Sequence, residues 1–142
     1  APPQAFLDAL AAQVAEVARN VRWVVKAFPA GSDAVRRADQ YGTEVVLVDA
    51  ATPGSGSVFD WGLVAEVPDG LKIILAGGLT PENVGHAVES VQPWGVDVSS
   101  GVEREPGRKD PRKLKAFIEN ARRFAPQPYL GPDELPYDWA DE

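Results

Sequence analysis

Four short apolar runs recur along the chain, each followed by a stretch with helical spacing. The runs fall at 22–28 (RWVVKAF), 44–49 (EVVLVD), 72–76 (KIILA) and 95–99 (GVDVS). Runs of this length read as strands, and the unbroken Ile73-Ile74-Leu75-Ala76, closed by Gly77-Gly78, suits one buried on both faces. A helix is expected over 3–20, where Phe6, Leu10, Val14 and Val17 make one stripe. Further helices are expected from Ser32 or Asp33 to Gly42, from Phe59 to Val67, after Thr80 and after Asp110. The last two carry Val84, Ala87, Val88, Val91 and Leu114, Phe117, Ile118, Ala121 at 3.6-residue spacing. Strand–helix repeats of ~20–30 residues imply parallel strands joined by right-handed crossovers. The expected unit is therefore α/β, a (βα)₄ layer preceded by one helix.

The helix starts are written twice in the same way. Thr80-Pro81 and Asp110-Pro111 each place a side-chain acceptor at the N-cap and a proline at the first helical position, where its missing N–H costs nothing. Pro68-Asp69-Gly70 reads as the turn into the third strand, and residues 102–109 as a linker.

Composition narrows the class. The 142 residues suffice for one packed domain but are few for a (β/α)₈ barrel, which takes about 200–250. Four open parallel strands leave two unpaired edges and a bare face, so such a layer needs a missing half, a second copy or its own tail as cover. Residues 125–142 form a proline-rich acidic tail whose five acids account for five of the seven net negative charges. The remainder, 1–124, is nearly balanced and offers no basic surface for nucleic acid. Cysteine is absent and histidine occurs once, which excludes disulfides and thiolate or His-rich metal sites. No apolar run approaches the ~20 residues of a membrane-spanning helix, and the amino end lacks the basic start of a secretory signal. A cytoplasmic chain is expected. It opens Ala1-Pro2-Pro3 without methionine, as a processed chain or part of a longer one does.

The candidate chemistry gathers at the strand ends. Gly77-Gly78 closes the third strand and Ser100-Gly101 the fourth. Glycine lets backbone N–H groups approach a ligand, and successive free N–H groups make an anion nest. Glycine-rich turns after the last two strands are where a (β/α)₈ barrel commonly holds a substrate phosphate. Asp49 ends the second strand, the position from which barrel enzymes take catalytic groups, though a loop cap is the alternative. Asp97 shares a strand face with Gly95 and Ser99, as a site residue on the inner face would. The loop Pro53-Gly54-Ser55-Gly56-Ser57 has the composition of a mobile cover or a plain linker. Lys26 points either into the mouth or to solvent, and His86, beyond the first turn of its helix, is read as solvent-facing.

The words ILAGGLTPENV and GVDVSSGVEREPGRKD, with VLVDA and VFDW before them, resemble the C-terminal part of phosphoribosylanthranilate isomerases. The resemblance covers about 1–124 and leaves out the tail 125–142. It implies the (β/α)₈ TIM-barrel fold, this chain supplying strands 5–8, and a cofactor-free, metal-free Amadori rearrangement in tryptophan biosynthesis. A phosphorylated small molecule is the implied substrate. By the same resemblance Asp49 is the general acid, and Gly77, Gly78, Ser100 and Gly101 receive the phosphate. Gly54 and Gly56 belong to the family's glycine-rich loop, where Pro53 replaces one glycine. The family's base is a cysteine on the first strand, which this chain lacks, so the chain alone is expected to be inactive without the missing N-terminal half. Two rivals stay open: half of another phosphate-binding barrel, or a non-enzymatic half-barrel that binds a phosphorylated ligand or a protein.

Overall fold

A computed structural model describes residues 2–19, 24–50 and 61–126. Four parallel strands make one sheet in sequence order: β1 (Val25–Pro29), β2 (Val45–Asp49), β3 (Lys72–Ala76) and β4 (Gly95–Val96). Helix α1 (Gln4–Ala18) precedes them, α2 (Val84–Val91) connects β3 to β4, and α3 (Pro111–Phe124) follows. A two-stranded antiparallel hairpin, β5 (Glu103–Glu105) and β6 (Arg108–Lys109), lies between β4 and α3.

The register sorts the side chains into two faces. Val25 pairs with Val45 and Val45 with Lys72; Leu47 lies opposite Ile74, and Ile74 opposite Gly95. By alternation these residues share one face with Asp49, Ala76 and Asp97. Phe28, Val46, Val48 and Leu75 occupy the other face and enter the hydrophobic core with Val35, Val64, Val84 and Phe117 from the covering elements. Val45, and not its neighbour Val46, stands in line with Val25 and Lys72. On the uncovered face Val25 and Asp49 are exposed and Leu47 and Ile74 only half-buried.

Several elements depart from the sequence reading for definable reasons. The first crossover, Val35–Tyr41, is 3₁₀ rather than α-helical, two turns joined at a kink where Arg37 has φ −124° and ψ 26°. Its buried residues, Val35, Ala38 and Tyr41, recur every three positions, which matches the 3₁₀ period. Gly42, at φ 75°, ends it in the left-handed region, close against Ala11 of α1. Trp61–Glu66 is also 3₁₀. In α1 the anchor is Leu7, fully buried, with Leu10 beside it; Phe6 and Val17 are 55% and 50% exposed. The fourth strand is shorter than the expected 95–99. Asp97 still donates its N–H to the Leu75 carbonyl at 2.8 Å, but Gly77 and Gly78 then turn the partner strand away at φ 93° and 57°. The tail beyond Pro126 lies outside the described residues.

Candidate active site at the carboxyl ends of the strands

The third strand–helix connection is built by Thr80 and Asn83. Thr80 Oγ1 accepts from the Glu82 N–H, while Asn83 Oδ1 accepts from the Thr80 N–H at 2.7 Å. Asn83 Nδ2 donates to the Gly78 carbonyl at 3.0 Å, fixing the glycine turn from behind. The helix accordingly begins at Val84, three residues after Pro81, because residues 81–83 are spent on this turn. Asn83 escaped the sequence reading. Its signal was a polar amide three residues after Thr80, in the position where a capping box carries Glu or Gln. Asn120 Nδ2 donates to the Pro81 carbonyl at 2.7 Å and ties α3 to the same turn.

The fourth connection packs directly on the third. A Cβ on Gly101 would coincide with the Leu79 carbonyl oxygen, so backbone meets backbone there and only glycine fits. The chain then enters the hairpin and returns to Asp110, whose carboxylate accepts from the Arg112 and Lys113 N–H groups as the N-cap of α3, with Pro111 behind it as expected. The Arg112 N–H, followed by the neighbouring Lys113 N–H and charges, holds the Asp110 carboxyl below its ordinary value.

These two loops and the end of β2 enclose a cavity of about 240 Å³. Its lining joins Asp49, Gly77, Gly78, Asp97, Ser100 and Gly101, the strand-end candidates of the sequence reading among the described residues. Gly54 and Gly56 lie outside them. Asp49 and Asp97 flank β3 on the uncovered face, two strand spacings or about 10 Å apart. Among the described residues, the N–H groups of Gly77, Gly78, Ser100 and Gly101 donate to no protein acceptor. The site can therefore offer several backbone donors to an anion, with a carboxyl across from them. Lys26 does not join it. It lies on the core side, its Nζ 5.0 Å from the centre of the Phe28 ring. His86 is exposed on α2 and stacks edge-on with Trp61, away from the strand ends. A larger cavity of about 520 Å³, lined by Asp69, Gly70, Leu71 and Val91, lies at the amino end of β3, remote from these groups.

Residues 9–120 match the family described as N-(5'phosphoribosyl)anthranilate (PRA) isomerase. The chain belongs to the phosphoribosylanthranilate isomerase family. It is 41% identical over 105 residues to the N-(5'-phosphoribosyl)anthranilate isomerase of Oceanobacillus iheyensis, covering 70% of this chain and 51% of that protein. The crystal structure of TrpF from Jonesia denitrificans superposes with a TM-score of 0.62 at 42% identity, over 83% of this chain and 56% of that one. A phosphoribosyl anthranilate isomerase solved in complex with reduced 1-(o-carboxyphenylamino)-1-deoxyribulose 5-phosphate matches at 36% identity and a TM-score of 0.61, over 78% and 53%. The chain thus spans about half the length of the isomerases it matches.

Proposed function

We propose that this chain is the C-terminal half, strands five to eight, of a barrel that converts N-(5-phosphoribosyl)anthranilate into 1-(2-carboxyphenylamino)-1-deoxyribulose 5-phosphate. One observation carries the reading: a single cavity at the carboxyl ends of parallel strands joins Asp49 to two glycine turns with free N–H groups. Family membership and the product-like ligand of a solved relative support it. So does the distribution of exposed large hydrophobic residues. All six among the described residues lie on the outer elements: Phe6 and Val17 on α1, Val25 on β1, Trp94 at the entry to β4, Ile118 and Phe124 on α3. Four further strands would cover those flanks, the sheet edges and the open face together.

In this reading the substrate phosphate sits on the N–H groups of Gly77, Gly78, Ser100 and Gly101. Asp49, protonated, gives its proton to the ribose ring oxygen. The C1–O bond breaks as the anilino nitrogen lone pair forms a C=N bond, leaving a Schiff base. A base then takes the C2 proton, and that electron pair becomes the C1=C2 bond of the enol product while nitrogen recovers its lone pair. The base and the group that meets the anthranilate carboxylate come from the complementary half, since the chain holds no cysteine. General acid catalysis of this kind contributes about 10²–10⁴-fold. Crystals soaked in phosphate test the anion site. An ordered phosphate within hydrogen-bonding reach of those four amides is expected; phosphate bound elsewhere and none here removes the reading.

A further inference from the structure

The Ser99–Gly101 turn is held from its cavity side by the Leu79 backbone. On its outer side a lysine holds it. Lys109 Nζ donates to the Ser99 carbonyl at 2.8 Å and to Glu103 Oε1 at 3.1 Å. Glu103 is itself fixed: Oε2 accepts from the Gly107 N–H at 3.2 Å, and its main-chain carbonyl accepts from Lys113 Nζ at 2.8 Å. The Lys109 hydrogen bond, and after it the Gly107 N–H, hold the Glu103 carboxyl below its ordinary range, so the partner of the lysine is ionised at neutral pH. Lys109 and Glu103 face each other in the β5–β6 register, and the Asp110 N–H closes the base of the hairpin on the Val102 carbonyl at 2.8 Å.

We infer that Lys109 is a positioning residue for the anion site, acting through the Ser99–Ser100 peptide. This rests on the anion site proposed above. In a trans peptide the C=O and the following N–H point in opposite directions. The Ser99 carbonyl is engaged by Lys109 on the hairpin side, which directs the Ser100 N–H the other way, toward the cavity that Ser99 and Ser100 line. The Ser99 carbonyl otherwise accepts only a long bond from the Val102 N–H at 3.5 Å, so a turn without the lysine keeps a weaker anchor and can tilt its peptide plane and withdraw one donor from the nest. The hairpin, which carries no buried residue on either strand, thereby acquires a purpose. It returns the chain so that a cation meets one carbonyl oxygen.

The test is a titration of the 142-residue chain with inorganic phosphate, followed by amide NMR shifts. In the wild type the amides of Gly77, Gly78, Ser100 and Gly101 should shift together and saturate. A wild type that shows no such shifts overturns the anion-site reading, and the role of Lys109 with it. Given wild-type binding, Lys109→Met should weaken phosphate affinity about tenfold or more, the scale for losing a hydrogen bond to a charged group. The Ser100 response should shrink most, with Gly77 and Gly78 still responding. Lys109→Arg, which keeps a charged donor, should restore affinity to within about threefold. A folded Lys109→Met chain that binds phosphate as the wild type does, with the Ser100 shift intact, overturns the inference. Should Lys109→Met lose its dispersed spectrum, Lys109→Arg decides: near wild-type affinity supports the role, and a tenfold loss in a folded chain refutes it.

Discussion

The two faces of the sheet are made from similar residues and treated in opposite ways. On one, Phe28, Val46, Val48 and Leu75 are buried beneath the helices and 3₁₀ turns. On the other, Val25 is exposed and Leu47 and Ile74 only half-buried, one residue away along the same strands, although Val45 and Ala76 on that face are buried. A sheet face that apolar and wet forfeits roughly 25 cal/mol for each Å² left in water. The covered face holds the layer together. The open face carries Asp49 and Asp97 at its rim, where chemistry takes place in parallel barrels. In the proposed reading, the strand's two-residue period separates the residues that hold the fold from those that face the substrate.

The sharpest way to break this comparison is at Asp49. In the chain reconstituted with a complementary barrel half, Asp49→Asn should lower kcat about 10²-fold or more. The same substitution should move the melting free energy by less than about 1 kcal/mol, since the side chain is exposed. A loss confined to KM would make Asp49 a binding group only. Leu75→Ala should do the reverse, destabilising the fold by about 2–5 kcal/mol with the site geometry preserved in the remaining folded fraction. Its neighbour Ile74, on the open face, should cost about 1 kcal/mol on truncation in the isolated chain and distinctly more once the complementary half is bound. Denaturant melts of both variants, with and without that half, measure the difference.

Smaller effects sharpen the account at the loops. Gly101→Ala must push the 99–101 turn off the Leu79 carbonyl; a cost of about 1–3 kcal/mol is expected, with weakened phosphate binding. The smallest effect should come from acid. The Asp110 carboxyl titrates below its ordinary value of 3.8 in the folded state, so its contribution is complete above that value and is lost as pH falls through the lower folded one. Asp110→Asn should flatten that limb of the stability–pH profile without touching neutral-pH activity.

What could be read from the chain follows from how local each signal is. The strand Lys72–Ala76 was legible to the residue, because an apolar run meets Gly70-Leu71 at one end and Gly77-Gly78 at the other. Asp110-Pro111 was legible because cap and proline act within three residues. Thr80-Pro81 looked the same and began a helix three residues later, since Asn83 competes for the same backbone groups. The hairpin at 103–109 carried no alternating apolar pattern. Its strands are held by the Lys109–Glu103 pair and a glycine at φ 79°, which hydrophobic spacing does not report. The helical stripe Phe6, Leu10, Val14 and Val17 reads as the inward face of α1, whereas Phe6 and Val17 are exposed and Leu7, outside that stripe, fills the core. The candidate residues gather in one cavity because glycine and aspartate at the ends of parallel strands fall at the same level of the sheet. The parity that puts Val45 rather than Val46 on the open face needed the register itself.

The central claim is that the open face and flanks await four more strands. Sedimentation and isomerase assay of this chain, alone and mixed with the N-terminal half of a family member, test it directly. The account predicts no turnover by the chain alone, then a one-to-one complex of compact barrel size that isomerises N-(5-phosphoribosyl)anthranilate. A chain that turns over substrate by itself, or one that stays a cooperative monomer and ignores the added half, would contradict it.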